Sequence, residues 1–170
     1  GHVYTGVTGL FQNPIRDGKG PGPTIAVTEF LHDNDGYIGG GMLADEFVMT
    51  PITYWKRHRH PSIPLSGPVA KSWMLETYPR VLDIKGPIQD IPSPDCRVTL
   101  ATNERDKFGM PLSQLSGHTH PESLRTSRLM FHKASELMHE CGAIDVWGVP
   151  QRGPTRSAGQ HQAGTCRMAS

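Results

Sequence analysis

The sequence predicts an α+β fold: a mainly antiparallel sheet of about five to six strands with two main helices packed on one face. Three observations carry this. Strand-like segments follow one another with short turns between them, which favours hairpin pairing over parallel crossovers. Two longer stretches repeat apolar residues at helical spacing. No Gly-x-Gly-x-x-Gly turn joins a strand to a helix, so the dinucleotide-binding pattern is not written here. Gly36-Tyr37-Ile38-Gly39-Gly40-Gly41 comes nearest, and no helical pattern follows it.

The elements follow in order. Residues 2–11 are rich in β-formers and read as a strand broken by glycines. Residues 12–23 mix glycines, prolines and charges and read as a loop. Thr24–Phe30 alternates as a strand does. Gly36–Phe47 reads as another strand, with Gly39-Gly40-Gly41 marking a bulge or a close approach of another backbone. Residues 50–68 carry Pro51, Pro61, Pro64 and Pro68 and read as an irregular excursion. Ser66 is placed to cap a helix from Pro68 to about Tyr78, stopped by Pro79. Val69, Trp73, Leu75 and Tyr78 are its expected core face.

Arg80–Ile91 reads as extended, and Pro92, Pro94 and Asp95 as a turn. Residues 96–101 and 111–118 flank the turn Asp106-Lys107-Phe108-Gly109-Met110 and form a hairpin. Pro121 opens the longest helix, to about residue 141, with Leu124, Phe131, Ala134, Leu137, Met138 and Cys141 at helical spacing. Gly142 fits the left-handed position that ends it. Ala143–Val149 is the last strand, and 150–170 is loop.

Composition narrows the function classes. The chain has 170 residues, enough for one domain with a core, and 19 glycines with 15 prolines argue for long connections. A net charge of +1 gives no footprint for nucleic acid or an anionic membrane. No apolar run is long enough to span a bilayer. The three cysteines, at 96, 141 and 166, are distant and odd in number, which argues against a disulfide framework and for a reducing compartment.

Chemistry concentrates in Gly159–Met168, a stretch with no helical or strand period. His161 sits there among glycines and hydrogen-bonding groups, and an imidazole suits proton transfer near neutral pH. A solvated loop histidine is the plainer reading of these residues alone. Two His-x-His pairs, His58/His60 and His118/His120, have usable metal-ligand spacing. Lys56, Arg57 and Arg59 would repel a cation, so no metal is expected. Cys166 beside Arg167 reads first as a loop residue, since no partner for a nucleophilic thiol is identifiable. Trp55, Trp73 and Trp147 read as core or cleft walls. Arg97, Asp106 and Lys107 read as surface charges.

His161-Gln162-Ala163-Gly164-Thr165-Cys166-Arg167-Met168 resembles the H-x-x-G-T-C-R-M-G signature of the glucose–methanol–choline (GMC) family of flavin oxidoreductases, above all its bacterial gluconate-dehydrogenase-like branch. The segment Cys96-Arg97-Val98-Thr99-Leu100, followed by Asp106-Lys107-Phe108-Gly109-Met110-Pro111, is similar to that family's R-V-T-L … K-D-x-x-G-x-P hairpin. Ala169 stands where the family usually has glycine, and Ala101-Thr102 where Asp-Pro is common.

The resemblance implies a two-part enzyme whose antiparallel substrate domain roofs a flavin. On that reading residues 1–158 are the substrate-binding (cap) domain, and 159–170 start the C-terminal FAD-domain segment. The implied activity is FAD-dependent oxidation of a CH–OH group in an alcohol, sugar or sugar acid. His161 would be the proton acceptor, with Gly164, Thr165 and Cys166 beside the FAD. The implied partners are the small-molecule substrate, the rest of the FAD domain, and a cytochrome or small subunit; oxygen and quinone are equally open as electron acceptors. By itself the chain is expected neither to hold FAD nor to turn over. The alternatives are a non-enzymatic interaction module and, less favoured, a metal-dependent enzyme built on the His-x-His pairs.

Overall fold

The computed structural model describes residues 3–15, 24–45 and 50–148. Its elements run β1 (Tyr4–Leu10), β2 (Ala26–Val27), β3 (Leu43–Asp45), α1 (Pro51–Thr53), α2 (Pro68–Thr77), β4 (Val81–Pro87), β5 (Val98–Arg105), β6 (Pro111–Leu115), α3 (Pro121–Glu140) and β7 (Asp145–Trp147). The fold is α+β. One sheet has the order β2-β3-β4-β1-β7, and β5-β6 forms a separate hairpin. Every pairing is antiparallel.

β1 and β4 form the frame, paired from Tyr4 opposite Pro87 to Leu10 opposite Val81. Opposed residues share a face, and faces alternate along each strand. Val7 and Ile84 therefore point one way. Thr8 with Asp83, Gly6 with Lys85, and Leu10 with Val81 point the other.

α3 covers the first face. His120 caps it, its Nδ1 accepting from the Glu122 amide at 3.2 Å, and Pro121 occupies the first turn, where a missing N–H costs nothing. Gly142 at φ 88° ends it as expected. Met130, Ala134 and Met138 pack onto Val7, Leu43, Ile84 and Ile88, with Phe131 and Leu137 at the margin. Cys141, expected to face the core, is exposed.

The expectation that both helices share a face is corrected. Trp73 and Met74 of α2 pack against Leu10, Val81 and Trp147, whose side chains point away from α3. That end of the sheet is apolar on both faces, so each face needs its own cover. α2 also starts differently: Gly67 at φ 101° precedes it, and no side chain, Ser66 included, caps it. Val69 and Leu75 are exposed, so its inward face is narrower than expected.

Two expected strands are short. In 24–30 only Ala26–Val27 pairs, because a 3₁₀ turn at Glu29–Leu31 redirects the chain. In 36–45 the strand is Leu43–Asp45, preceded by a single antiparallel bridge from Gly41 to Ile88. Glycine does mark a close backbone approach: a Cβ on Gly40 would overlap the carbonyl oxygens of Phe30 and Leu31. The excursion 50–68 contains unanticipated helical structure, α1 running into a π-helical turn at Tyr54–His58. Thr50 starts it, its hydroxyl accepting from the Thr53 amide at 3.3 Å.

Candidate functional site

The sheet face away from α3 carries a cleft of about 380 Å³, a volume suited to a small ligand. β1 and β4 provide its floor, through Thr8, Asp83 and Lys85. The π turn and the residues after it provide the wall, through Arg57, His58 and Arg59. Trp147 of β7 closes one side.

At its centre is a polar triplet. Thr8 Oγ donates to Asp83 Oδ1 at 3.0 Å, and His58 Nδ1 lies 3.1 Å from the same oxygen. The side chains of His58 and Asp83 are only 10% and 5% exposed. A threonine hydroxyl has one proton to give, and here Asp83 receives it. His58 Nδ1 also lies 3.3 Å from the Thr8 hydroxyl oxygen, and a proton on Nδ1 would give Asp83 Oδ1 a second hydrogen bond. Trp147 Nε1 donates to the His58 carbonyl at 2.9 Å, tying the turn to β7.

This arrangement leaves buried atoms unmatched. His58 Nε2, Asp83 Oδ2 and Arg59 Nε are all buried without a hydrogen-bond partner among the described residues. Buried polar atoms are normally paired, so three in one cleft call for a reason. The floor is also electrostatically costly, since burial pushes the Lys85 ammonium below the ordinary lysine pKa.

The histidines singled out from sequence have separate roles. His60 lies 3.6 Å from Asp145 Oδ2 and stacks edge-on against Trp147 at 5.1 Å. His120 caps α3, and the His118 carbonyl accepts from the Cys96 thiol at 3.4 Å. Among the described residues no group of three or more His, Cys, Asp or Glu side chains is placed to hold a metal ion. His161, Gly164, Thr165 and Cys166 lie outside the described residues.

Of the tryptophans, Trp147 lines the cleft, Trp73 packs behind it, and Trp55 lies under the Arg59 guanidinium at 5.5 Å. The surface charges expected at the hairpin serve its turns: Arg97 Nε donates to the Pro94 carbonyl at 2.6 Å, and Asp106 Oδ1 accepts from the amides of Phe108 and Met110. Sequence reasoning missed Thr8 and Asp83. One signal was available, a lone carboxylate within the apolar run Val81-Leu82-Asp83-Ile84.

No described helix is long and apolar enough to cross a membrane. No protein-family model matches the chain, and no curated protein matches it.

Proposed function

We propose that this chain is the substrate-domain portion of an FAD-dependent oxidoreductase of the GMC type, acting on a CH–OH group of an alcohol, sugar or sugar acid. The observation that carries the reading is the segment His161–Met168, supported by the hairpin sequence at 96–111. The architecture is compatible: an antiparallel sheet with its long helix on one face and a polar cleft on the other. The unpartnered His58 Nε2 and Asp83 Oδ2 fit a face that meets a polar molecule.

Oxidation of a carbinol removes a proton and a hydride, and a bound flavin supplies the hydride acceptor. His161 takes up the hydroxyl proton, a role that typically contributes about two to four powers of ten. Gly164, Thr165 and Cys166 would lie against the flavin, glycine being the residue type that allows a close backbone approach. The test uses the protein with its flavin-domain segments present. The expected result is a flavin absorption spectrum, and for His161→Ala a retained flavin with turnover reduced about 10²–10⁴-fold. A preparation without flavin, or a variant with unchanged turnover, overturns the reading.

A second reading, an interaction module, is favoured by one observation. On the β5–β6 hairpin, Val98, Leu100 and Leu115 share a face through their register, and all three are exposed. A two-stranded hairpin with an uncovered apolar face has a surface suited to a protein partner.

A further inference from the structure

We infer that Ser62 is an activated nucleophile that takes an acyl group from an ester with a good leaving group, with His60 as its base and Asp145 positioning the imidazole. The inference does not depend on the flavin reading.

The sequence builds the serine–histidine pair locally. His60-Pro61-Ser62-Ile63 forms a turn closed by the Ile63 amide, which donates to the His60 carbonyl at 3.1 Å. Proline suits the second position of such a turn, because its fixed φ is the one needed there. The turn folds Ser62 back onto the ring. Ser62 Oγ lies 2.6 Å from His60 Nδ1, and the Ser62 amide donates to the same nitrogen at 3.2 Å. An amide N–H can only donate, so Nδ1 offers a lone pair and the ring proton sits on Nε2. The serine hydroxyl is therefore the donor of its pair, as a hydroxyl about to lose its proton must be.

Tertiary structure supplies the third member. Asp145 and Trp147 are two apart on β7, so they share a sheet face, and both meet the His60 ring. Asp145 Oδ2 lies 3.6 Å from Nε2, the protonated nitrogen. The Trp147 and Trp73 rings flank the imidazole at 5.1 and 6.0 Å. A carboxylate there stabilises the imidazolium that forms when Nδ1 takes the serine proton, and such contacts tighten as the charge appears. Hydroxyl, imidazole and carboxylate in this order of contact is the arrangement that activates a serine, and it is defined by geometry rather than by chain position. The base is Nδ1 because the two-residue spacing of His60 and Ser62 brings that nitrogen to the hydroxyl. Ser62 is exposed, so an ester reaches its oxygen.

In the step, Ser62 Oγ bonds to the ester carbonyl carbon while its proton passes to His60 Nδ1. The bond to the leaving oxygen breaks, and the alcohol departs with that proton. Water then attacks the acyl-serine by the same route, releasing the acid and restoring the hydroxyl.

Reaction of the full chain with p-nitrophenyl acetate tests this, read as p-nitrophenol release and as acetyl located by peptide mass spectrometry. Acetyl is expected on Ser62 and not on Ser72, an exposed serine of α2. Ser62→Ala is expected to lose that adduct, and His60→Gln to form it about 10²–10⁴-fold more slowly. Asp145→Ala is expected to slow it about two- to fivefold, the worth of a half-exposed ion pair, and Asp145→Glu to restore the rate. A wild-type protein with no acetyl on Ser62, or a His60→Gln rate equal to wild type, overturns the inference. The wild-type adduct alone decides it if His60→Gln fails to fold. A protein lacking flavin leaves the result unaffected, so this reading and the one above fail separately.

Discussion

Thr8 and Asp83 face each other across β1 and β4, and the threonine hydroxyl donates to the carboxylate at 3.0 Å. The sheet register puts a buried carboxylate beside Thr8, and the Tyr54–His58 turn brings His58 to it. Asp83→Ala removes the carboxylate that both face, leaving only their mutual 3.3 Å contact, and is expected to cost about 2–4 kcal/mol, as removal of one member of a buried polar group does. Urea unfolding of the two proteins measures the difference. A loss below about 0.5 kcal/mol, the size of an ordinary surface change, would show that Asp83 contributes little.

Asp45 gives a pH signature at the other end of the sheet. Burial pushes its carboxyl up, but hydrogen bonds from the Ile25 amide and from the Thr24 hydroxyl and amide outweigh this, holding its pKa below the ordinary 3.8. A carboxyl lowered on folding contributes stability above its unfolded pKa and loses it as pH falls through the lower folded value. Asp45→Asn is therefore expected to be less stable than wild type near neutrality and to converge on it in acid below about 3.8. Unfolding midpoints across that range check the sign, and a gap that widens in acid would contradict it.

The hairpin face gives the third prediction. Leu100 is 68% exposed. Leu100→Lys is expected to change stability by less than about 0.5 kcal/mol while suppressing association through the face it shares with Val98 and Leu115. Urea curves paired with light scattering at rising concentration separate the two effects. A stability loss above about 2 kcal/mol would mean that the side chain is packed, as large core truncations are.

Local signals read well. Proline at the first turn of α2 and of α3, glycine at 142, and the apolar spacing of Leu124, Ala134 and Met138 depend on residues within a few positions of one another. The hairpin around Asp106–Met110 is equally local, its turn held by amides two and four residues from Asp106. The short strands were harder. Asp45 draws the backbone of Thr24 and Ile25, 21 and 20 positions away, into side-chain hydrogen bonds, and no period-two pattern reports that.

The site divides in the same way. His161, Gly164, Thr165 and Cys166 stand out in the sequence because a stretch with glycines, a histidine and a thiol carries no helical or strand period. Thr8 and Asp83 do not stand out, and His58 stands out only as half of a His-x-His pair, because His58 and Asp83 are separated by 50 and 75 positions from Thr8. The sequence by itself determined the α+β class, the two longer helices, the hairpin and the chemical character of residues 159–168. Only the tertiary structure decided that α2 and α3 lie on opposite faces and that a carboxylate, a hydroxyl and an imidazole meet in one cleft. Strand register is a long-range choice, made by burial on both faces at once, and it alone sets which distant side chains share a face.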